Sequence, residues 1–384
     1  MTRALLLLTG GRMLPDLLFV KCMITYWKPD HILAITTKRG ETDTRKLQQF
    51  LASHFKCDIK LLSNIDPSSE EDVKKRCSEA LASRSDVEWV IHFTGAPKTV
   101  GIFAYEVARE HDIPYCFLNT DSGQIVSLVK DFAVDTKKLF EATVEEYMLS
   151  YGRECKIHKG KTYVEKAQEW YPIAELLADN YTETRVLLKA LRKAQNNQHP
   201  LTPLISVEAR KLVQKLEEYG VLASTNQESG EILCTLKDDD SRKFLHGDWL
   251  EVYVWHKVHQ EGFTDDCLWG NVINVNELQN LITSNELDIS LTYKARLLIA
   301  ECKTSLDPFD SKYLDKLYAI SNLIGKDYVR QVFITDARPL KNSRRFKSFS
   351  HQAAIRNITV MTGTQLPEIG KLLNKEIIEL NRSR

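Results

Sequence analysis

Residues 285–303 read NELDISLTYKARLLIAECK. Apolar positions alternate or run together on either side of Lys294 and Ala295, which predicts two β-strands joined by a tight turn. The second strand is almost wholly apolar and closes on Glu301 and Lys303. Side chains two positions apart leave a strand on the same face, so a carboxylate and an ammonium project together. Asp288 on the preceding strand can reach the same place. Converging carboxylates repel one another, and burying them is costly unless they are paired or bound to metal. A divalent cation resolves the repulsion, and oxygen donors of this kind suit Mg²⁺ or Mn²⁺. Glu-x-Lys is a common tripeptide, however, and taken alone reads as an ordinary ion pair on a sheet face.

Its surroundings tilt the reading toward chemistry. FLHGDWLEVYVWHKVHQEG (244–262) predicts a helix with Leu250, Val254 and Val258 in an i, i+4, i+8 stripe that Trp249 and Tyr253 widen. Glu251 sits at the edge of that stripe, directed toward the sheet. The strand LWGNVINV, the two strands of the opening, the helix DSKYLDKLYAISNLIG and the strand RQVFITD follow. Glu251, Asp288 and Glu301 are candidate metal ligands. Lys303 is placed to stabilise charge on a phosphate in transition or to orient a water. Lys312, Tyr313 and Lys316 are candidates to line the same site. His256 and His259, at i and i+3, read as a metal pair or as exposed helix histidines. The stretch ARPLKNSRRFKSF (337–349) carries Arg338, Lys341, Arg344, Arg345 and Lys347. It reads as a basic loop, either solvated or tracking a phosphate backbone with Phe346 or Phe349 as a stacking face.

Toward the N-terminus, apolar runs alternate with helical periods. ALLLLTG, HILAITT, CDIKLL, WVIHFTG and PYCFLNT predict five buried strands with helices between them, hence a doubly wound α/β domain on a parallel sheet. Such sheets bind ligands beyond the carboxyl ends of their strands. Strand one ends in TGGRMLP, strand four in TGAPKTVG and strand five in NTDSGQ. Candidate ligand contacts are therefore Thr9, Gly10, Gly11, Arg12 and Met13, then Thr94, Gly95, Ala96, Pro97, Lys98 and Thr99, then Asn119 and Asp121. The alternative is that the glycines only make tight turns. Neither GxGxxG nor GxxxxGK[ST] is present, which disfavours a dinucleotide or a P-loop triphosphate.

Residues 133–200 read mainly as helices with a polar break at GRECKIHKGKT. Next comes a helix with Leu212, Val213 and Leu216, then two short strands around NQESGE, a winged-helix-like order. Arg210, Lys211 and Lys215 are offset by Glu208, Glu217 and Glu218, which favours a spacer over a DNA reader.

The 384 residues suffice for two or three domains. Lys plus Arg and Asp plus Glu are both 52, so no overall charge draws the chain to nucleic acid or membrane. The apolar run after Arg3 is too short for a signal peptide or a membrane span. The 8 cysteines show no CxxC spacing and read as reduced core thiols of a cytoplasmic protein.

Glu251, Asp288, Glu301 and Lys303 together resemble the helix Glu, strand Asp and ExK of the PD-(D/E)xK nuclease core. TGAPKTVG after strand four resembles the glycine/lysine ligand loop of CARF domains, the CRISPR-associated Rossmann fold. Together they resemble the type III CRISPR ancillary nucleases: residues 1–150 as the CARF sensor, 151–240 as a helical and winged-helix-like linker, 241–384 as the nuclease. The family's Gly-Gly after the helix that follows ExK is here IGKD, a departure at positions that carry no chemistry. The resemblance implies a homodimer that binds cyclic oligoadenylate, cyclic tetra-adenylate foremost, and a Mn²⁺- or Mg²⁺-dependent endonuclease cutting single-stranded DNA or RNA with little sequence preference. Lys312, Arg338, Arg344 and Arg345, read from their charge and position, are the candidate nucleic-acid contacts. The rival readings are a non-catalytic CARF/winged-helix regulator and a constitutive restriction or repair nuclease.

Overall fold

A computed structural model describes the chain except residues 1, 11–12, 56–58, 85, 120–123, 135–140, 158–160, 196–203, 227–231, 278–280 and 381–384. The chain divides into two compact units. One is Met1–Glu154 with Thr292–Arg296; the other is Cys155–Leu291 with Leu297–Arg384.

The first unit runs β1 (Thr2–Leu8), α1 (Met13–Cys22), β2 (His31–Thr37), α2 (Glu41–Phe55), β3 (Ile59–Ile65), α3 (Glu70–Ala82), β4 (Val87–His92), α4 (Lys98–Glu110), β5 (Tyr115–Asn119), β6 (Gln124–Ser127) and α5 (Val144–Ser150). The strand order is β3-β2-β1-β4-β5-β6. β1 pairs in parallel with both β2 and β4, so the order reverses between β1 and β4, the switch point at which doubly wound sheets form a crevice. Helices cover both faces, which explains the unbroken apolar run of β1: Ala4, Leu6 and Leu8 enter one core, Leu5 and Leu7 the other. Ser69 caps α3 by accepting from the Asp72 amide, as its position before three acids predicts. The expectation of an all-parallel sheet is corrected at one edge. β6 pairs antiparallel with β5, and its four residues carry too little apolar pattern to stand out from a loop.

The second unit opens with β7 (Glu154–Ile157), α6 (Lys161–Asp179) and α7 (Tyr181–Gln195). A small antiparallel sheet follows, made of β8 (Leu204–Ile205), β9 (Leu222–Asn226) and β10 (Ile232–Leu236), with α8 (Arg210–Glu218) before the hairpin. The turn expected at NQESGE falls on 227–231, outside the described residues. Then come α9 (Asp239–Lys243), α10 (Trp249–Glu261), β11 (Asp266–Glu277), β12 (Leu281–Tyr293), β13 (Arg296–Lys303), α11 (Ser311–Leu323), β14 (Val329–Thr335), α12 (Arg344–Ile355), β15 (Ile358–Met361) and α13 (Ile369–Glu379). The large sheet has the order β15-β14-β13-β12-β11-β7. β13 lies parallel to β14, with Glu301 beside Phe333 and Lys303 beside Thr335. The polar break expected at 152–162 thus contains an edge strand. The turn between β12 and β13 falls where expected, with Lys294 and Ala295 both left-handed at φ 47° and 61°, the geometry of the tightest hairpins. The α10 stripe is buried throughout, with Leu250, Val254 and Val258 at 0% exposure, and the helix packs on α6 and α13. The basic stretch 337–349 is a loop only as far as Ser343. That residue caps α12 by accepting from Phe346 N, so Arg344, Arg345 and Lys347 are helical.

Candidate active site and ligand crevice

β13 is buried along its length and surfaces only at Lys303. Asp288 and Glu301 are 5% and 2% exposed, and Lys303 bridges them. Its Nζ lies 3.1 Å from Asp288 Oδ2 and 2.6 Å from Glu301 Oε1. The Cys302 amide donates to the same Asp288 oxygen at 2.7 Å. Lys316, one of the candidates on α11, donates to Glu301 Oε2 at 2.6 Å. Burial, reinforced by Asp288, pushes the Glu301 carboxyl above its ordinary range, while Lys303 and Lys316 oppose the shift. Burial works against charge on Lys303, but Asp288 and Glu301 outweigh it and strengthen the ammonium. The Cys302 thiol, buried and next to the fields of Asp288, Glu251 and Glu301, is held well above the usual thiol range.

Glu251 shares this neighbourhood but is aimed at Trp269, whose indole Nε1 donates to its Oε2 at 2.7 Å. Among the described residues no three His, Cys, Asp or Glu side chains form a ready cation cage. The centre is therefore a pair of buried carboxylates balanced by two ammonium groups. Its hard oxygen donors are of the type that suits Mg²⁺ or Mn²⁺.

Other candidates separate. The Tyr313 ring centre lies 5.3 Å from Lys303 Nζ and 5.0 Å from Lys312 Nζ, though Lys312 pairs with Asp310. Exposed Arg338 stacks 4.3 Å from the Tyr181 ring centre. Arg344 is exposed, while Arg345 pairs with Asp307. Phe349 is buried against Phe333 and Phe309 and offers no stacking face; Phe346 packs on Phe309. His256 stacks on Tyr171 at 3.4 Å, and the His259 ring nitrogen lies 2.9 Å from the Trp255 carbonyl, so they do not act as a metal pair.

At the carboxyl end of the first unit's sheet, Thr9 and Met13 are buried, Thr9 bonding Thr44 at 2.7 Å. Gly11, Arg12 and Asp121 lie outside the described residues. Gly10 takes φ 129°, which L side chains rarely adopt. Gly95 donates to Asp16 Oδ1 at 3.1 Å, and a Cβ there would meet Asp16 Oδ2 at 2.1 Å. His92 Nε2 lies 3.1 Å from that same Asp16 oxygen, and the His92 ring stacks on Phe19 at 3.8 Å. Thr94 accepts from Leu118 N at 2.7 Å. This buried frame presents Ala96, Pro97 and the exposed Lys98 and Thr99 at the start of α4. Asn119 is half-buried at the end of β5. A cavity of about 830 Å³ opens beside Gly10 and Pro97, lined also by Lys38, Arg39, Asn64 and Asp66. These four are absent from the sequence-based set, although TTKRGE follows β2 as TGGRML follows β1. Asp16, an acid inside the apolar α1, is likewise absent from it.

Residues 238–375 match the family model of the Card1-like, endonuclease domain, the segment that holds Glu251, Asp288, Glu301 and Lys303. No curated protein sequence matches the chain significantly. Among solved structures, the chain is similar to protein VC1899 from Vibrio cholerae, with TM-score 0.77, 18% identity and 98% of each chain covered. It is similar to Can2 from Sulfobacillus thermosulfidooxidans in complex with cyclic tetra-adenylate, with TM-score 0.71 and 18% identity over 98% of this chain and 97% of that one. It also aligns over 90% of its length with 47% of a type III CRISPR defence DNA nuclease activated by cyclic oligoadenylate, at TM-score 0.51 and 11% identity. The C-terminal part is thus similar to a Card1-like endonuclease domain, and the whole chain shares the fold of Can2.

Proposed function

We propose that the protein is a metal-dependent endonuclease of type III CRISPR defence, switched on by cyclic oligoadenylate and acting on single-stranded DNA, RNA or both. The observation that carries this reading is the convergence of Asp288, Glu301 and Lys303 at the end of β13, inside the segment that matches an endonuclease domain. Asp288 and Glu301 would hold Mn²⁺ or Mg²⁺, which when bound supplies Lewis-acid stabilisation of a phosphate and a more acidic water. Lys303 keeps its proton and presents positive charge where a cleaved phosphodiester gains negative charge. Lys316 balances the outer oxygen of Glu301, and the Glu251–Trp269 bond sets a third carboxylate nearby. The Can2 complex supports cyclic tetra-adenylate as the activator. The ring would lie over the strand-end loops at Gly10 and Thr94–Thr99, shared between two copies, because a symmetric ring suits a two-fold interface. In this scheme residues 1–150 sense, 151–240 link and 241–384 cut. The test is incubation with Mn²⁺ and labelled single strands, with and without cyclic tetra-adenylate. Ligand-dependent cleavage is expected. Constitutive cleavage would point to a restriction or repair nuclease, and none at all to a regulator.

A further inference from the structure

Arg185 and Arg192 are seven residues apart on α7, two helical turns and so one face. Arg185 spreads its guanidinium over four groups. Nη1 donates to the Ser305 carbonyl at 3.1 Å and pairs with Asp336 at 3.4 Å; Nη2 donates to the Leu306 carbonyl at 2.9 Å. The Thr304 carbonyl lies 3.5 Å from the same Nη1. Arg192 Nη2 donates to that Thr304 carbonyl at 2.6 Å, while its Nη1 is buried without a partner among the described residues. Thr304 Oγ1 in turn donates to the His246 carbonyl at 3.0 Å. These three successive carbonyls directly follow Lys303, where the chain leaves the sheet and runs without regular structure to residue 310. Regular structure does not hold this backbone; the two guanidiniums grip its carbonyls at 304–306, with the Thr304 hydroxyl on His246 and the Arg345–Asp307 pair beside them. Asp336, 1% exposed at the end of β14, anchors Arg185 from the other side. The cluster holds two cations to one carboxylate, and the backbone carbonyl dipoles supply the rest of the compensation.

We infer that Arg185 and Arg192 are positioning residues of the nuclease centre: they hold the end of the catalytic strand so that Lys303 keeps its reach to both Asp288 and Glu301. Both arginines lie before residue 238, where the endonuclease match begins, so the cutting machinery draws on a helix outside that segment. This rests on the nuclease reading above, and the test separates the two.

The full-length chain is prepared as Arg192→Gln, Arg192→Lys, Arg185→Gln and Arg185→Lys. With Mn²⁺, cyclic tetra-adenylate and a labelled single strand, the glutamine variants should lose about 10²-fold in kcat, the scale of an ångström of misplacement, with KM nearly unchanged. Arg192→Lys should recover most of the rate, because the Thr304 carbonyl takes a single donor. Arg185→Lys should not, because an ammonium cannot reproduce a fork spread over Ser305, Leu306 and Asp336. Hydrogen exchange needs no cleavage: amides of residues 303–307 should exchange faster in the glutamine variants while the rest of the large sheet stays protected. Wild-type kcat in folded glutamine variants would overturn the inference, as would lost activity with unchanged exchange at 303–307. If the wild type itself does not cut, the nuclease reading fails, and the exchange data still decide whether the arginines hold the strand end.

Discussion

Lys316 on α11 reaches Glu301 on β13, with 2.6 Å between Nζ and Oε2. Glu301 is nearly inaccessible to water, and Lys303 and Lys316 bring positive charge to its two oxygens. A cation binding there must displace or share with them. Lys316→Met should therefore lower stability without metal and widen the rise in thermal midpoint that Mn²⁺ brings, because a competitor for the oxygen is gone. Thermal unfolding with and without Mn²⁺ measures both. An equal rise in the two proteins would show that Lys316 and the cation do not contend for Glu301.

Lys303→Met keeps the stem and removes the charge. Turnover should fall about 10²–10³-fold, the scale seen when one donor to a developing oxyanion is lost, while single-strand affinity changes little. Asp288→Ala should abolish cleavage and leave activator binding intact. Single-turnover cleavage and oligonucleotide anisotropy separate the effects. A Lys303→Met variant that turns over normally but binds its strand weakly would make that lysine a phosphate anchor.

The strand alternation that placed Glu301 and Lys303 on one face was legible, because a period of two needs no knowledge of neighbours. The α10 stripe and the helix–hairpin order of α8 to β10 were legible for the same local reason. What sequence could not show were contacts made at a distance. β6 and β7 are strands only because an edge was open beside them. Asp16 meets His92 from a strand 76 residues further on. Arg185 and Arg192 look like ordinary helix-surface cations until the carbonyls after Lys303 are placed against them. The start of α12 was obscured by its charge, although Ser343 followed by Phe346 and Phe349 is a cap and the beginning of a helical stripe.

Asp16 gives a pH test of the ligand frame. Burial raises its carboxyl above the ordinary range, against the opposing bonds from His92 and Gly95. A group whose folded pKa exceeds its unfolded value favours the fold at low pH, and that contribution is lost as pH rises through the folded value. Asp16→Asn keeps an acceptor for the Gly95 amide and carries no charge. The variant should melt higher than wild type at pH 8, and the gap should close as pH falls toward the ordinary aspartate range. Melting curves across pH decide the matter; a gap that widens on acidification would reverse the assignment.

Lys98 stands exposed at the first turn of α4, beside the buried frame of Gly95 and Asp16. Lys98→Ala should raise the cyclic tetra-adenylate concentration for half-maximal cleavage by roughly tenfold or more, the weight of one charge-assisted bond. Saturating activator should restore the rate. A titration of both proteins reads this out, and an unchanged midpoint would remove Lys98 from the sensor site.

The left-handed pair Lys294 and Ala295 closes the hairpin that carries Asp288 on one arm and Glu301 on the other. Strand side chains alternate, so one residue added or lost between Asp288 and that turn would send the carboxylate to the opposite face of the sheet. Related chains that still cut should therefore differ freely in the composition of this hairpin and hardly at all in its length. Composition can drift here while parity cannot, and a one-residue gap between Asp288 and the turn would mark a relative that has lost this carboxylate from the site.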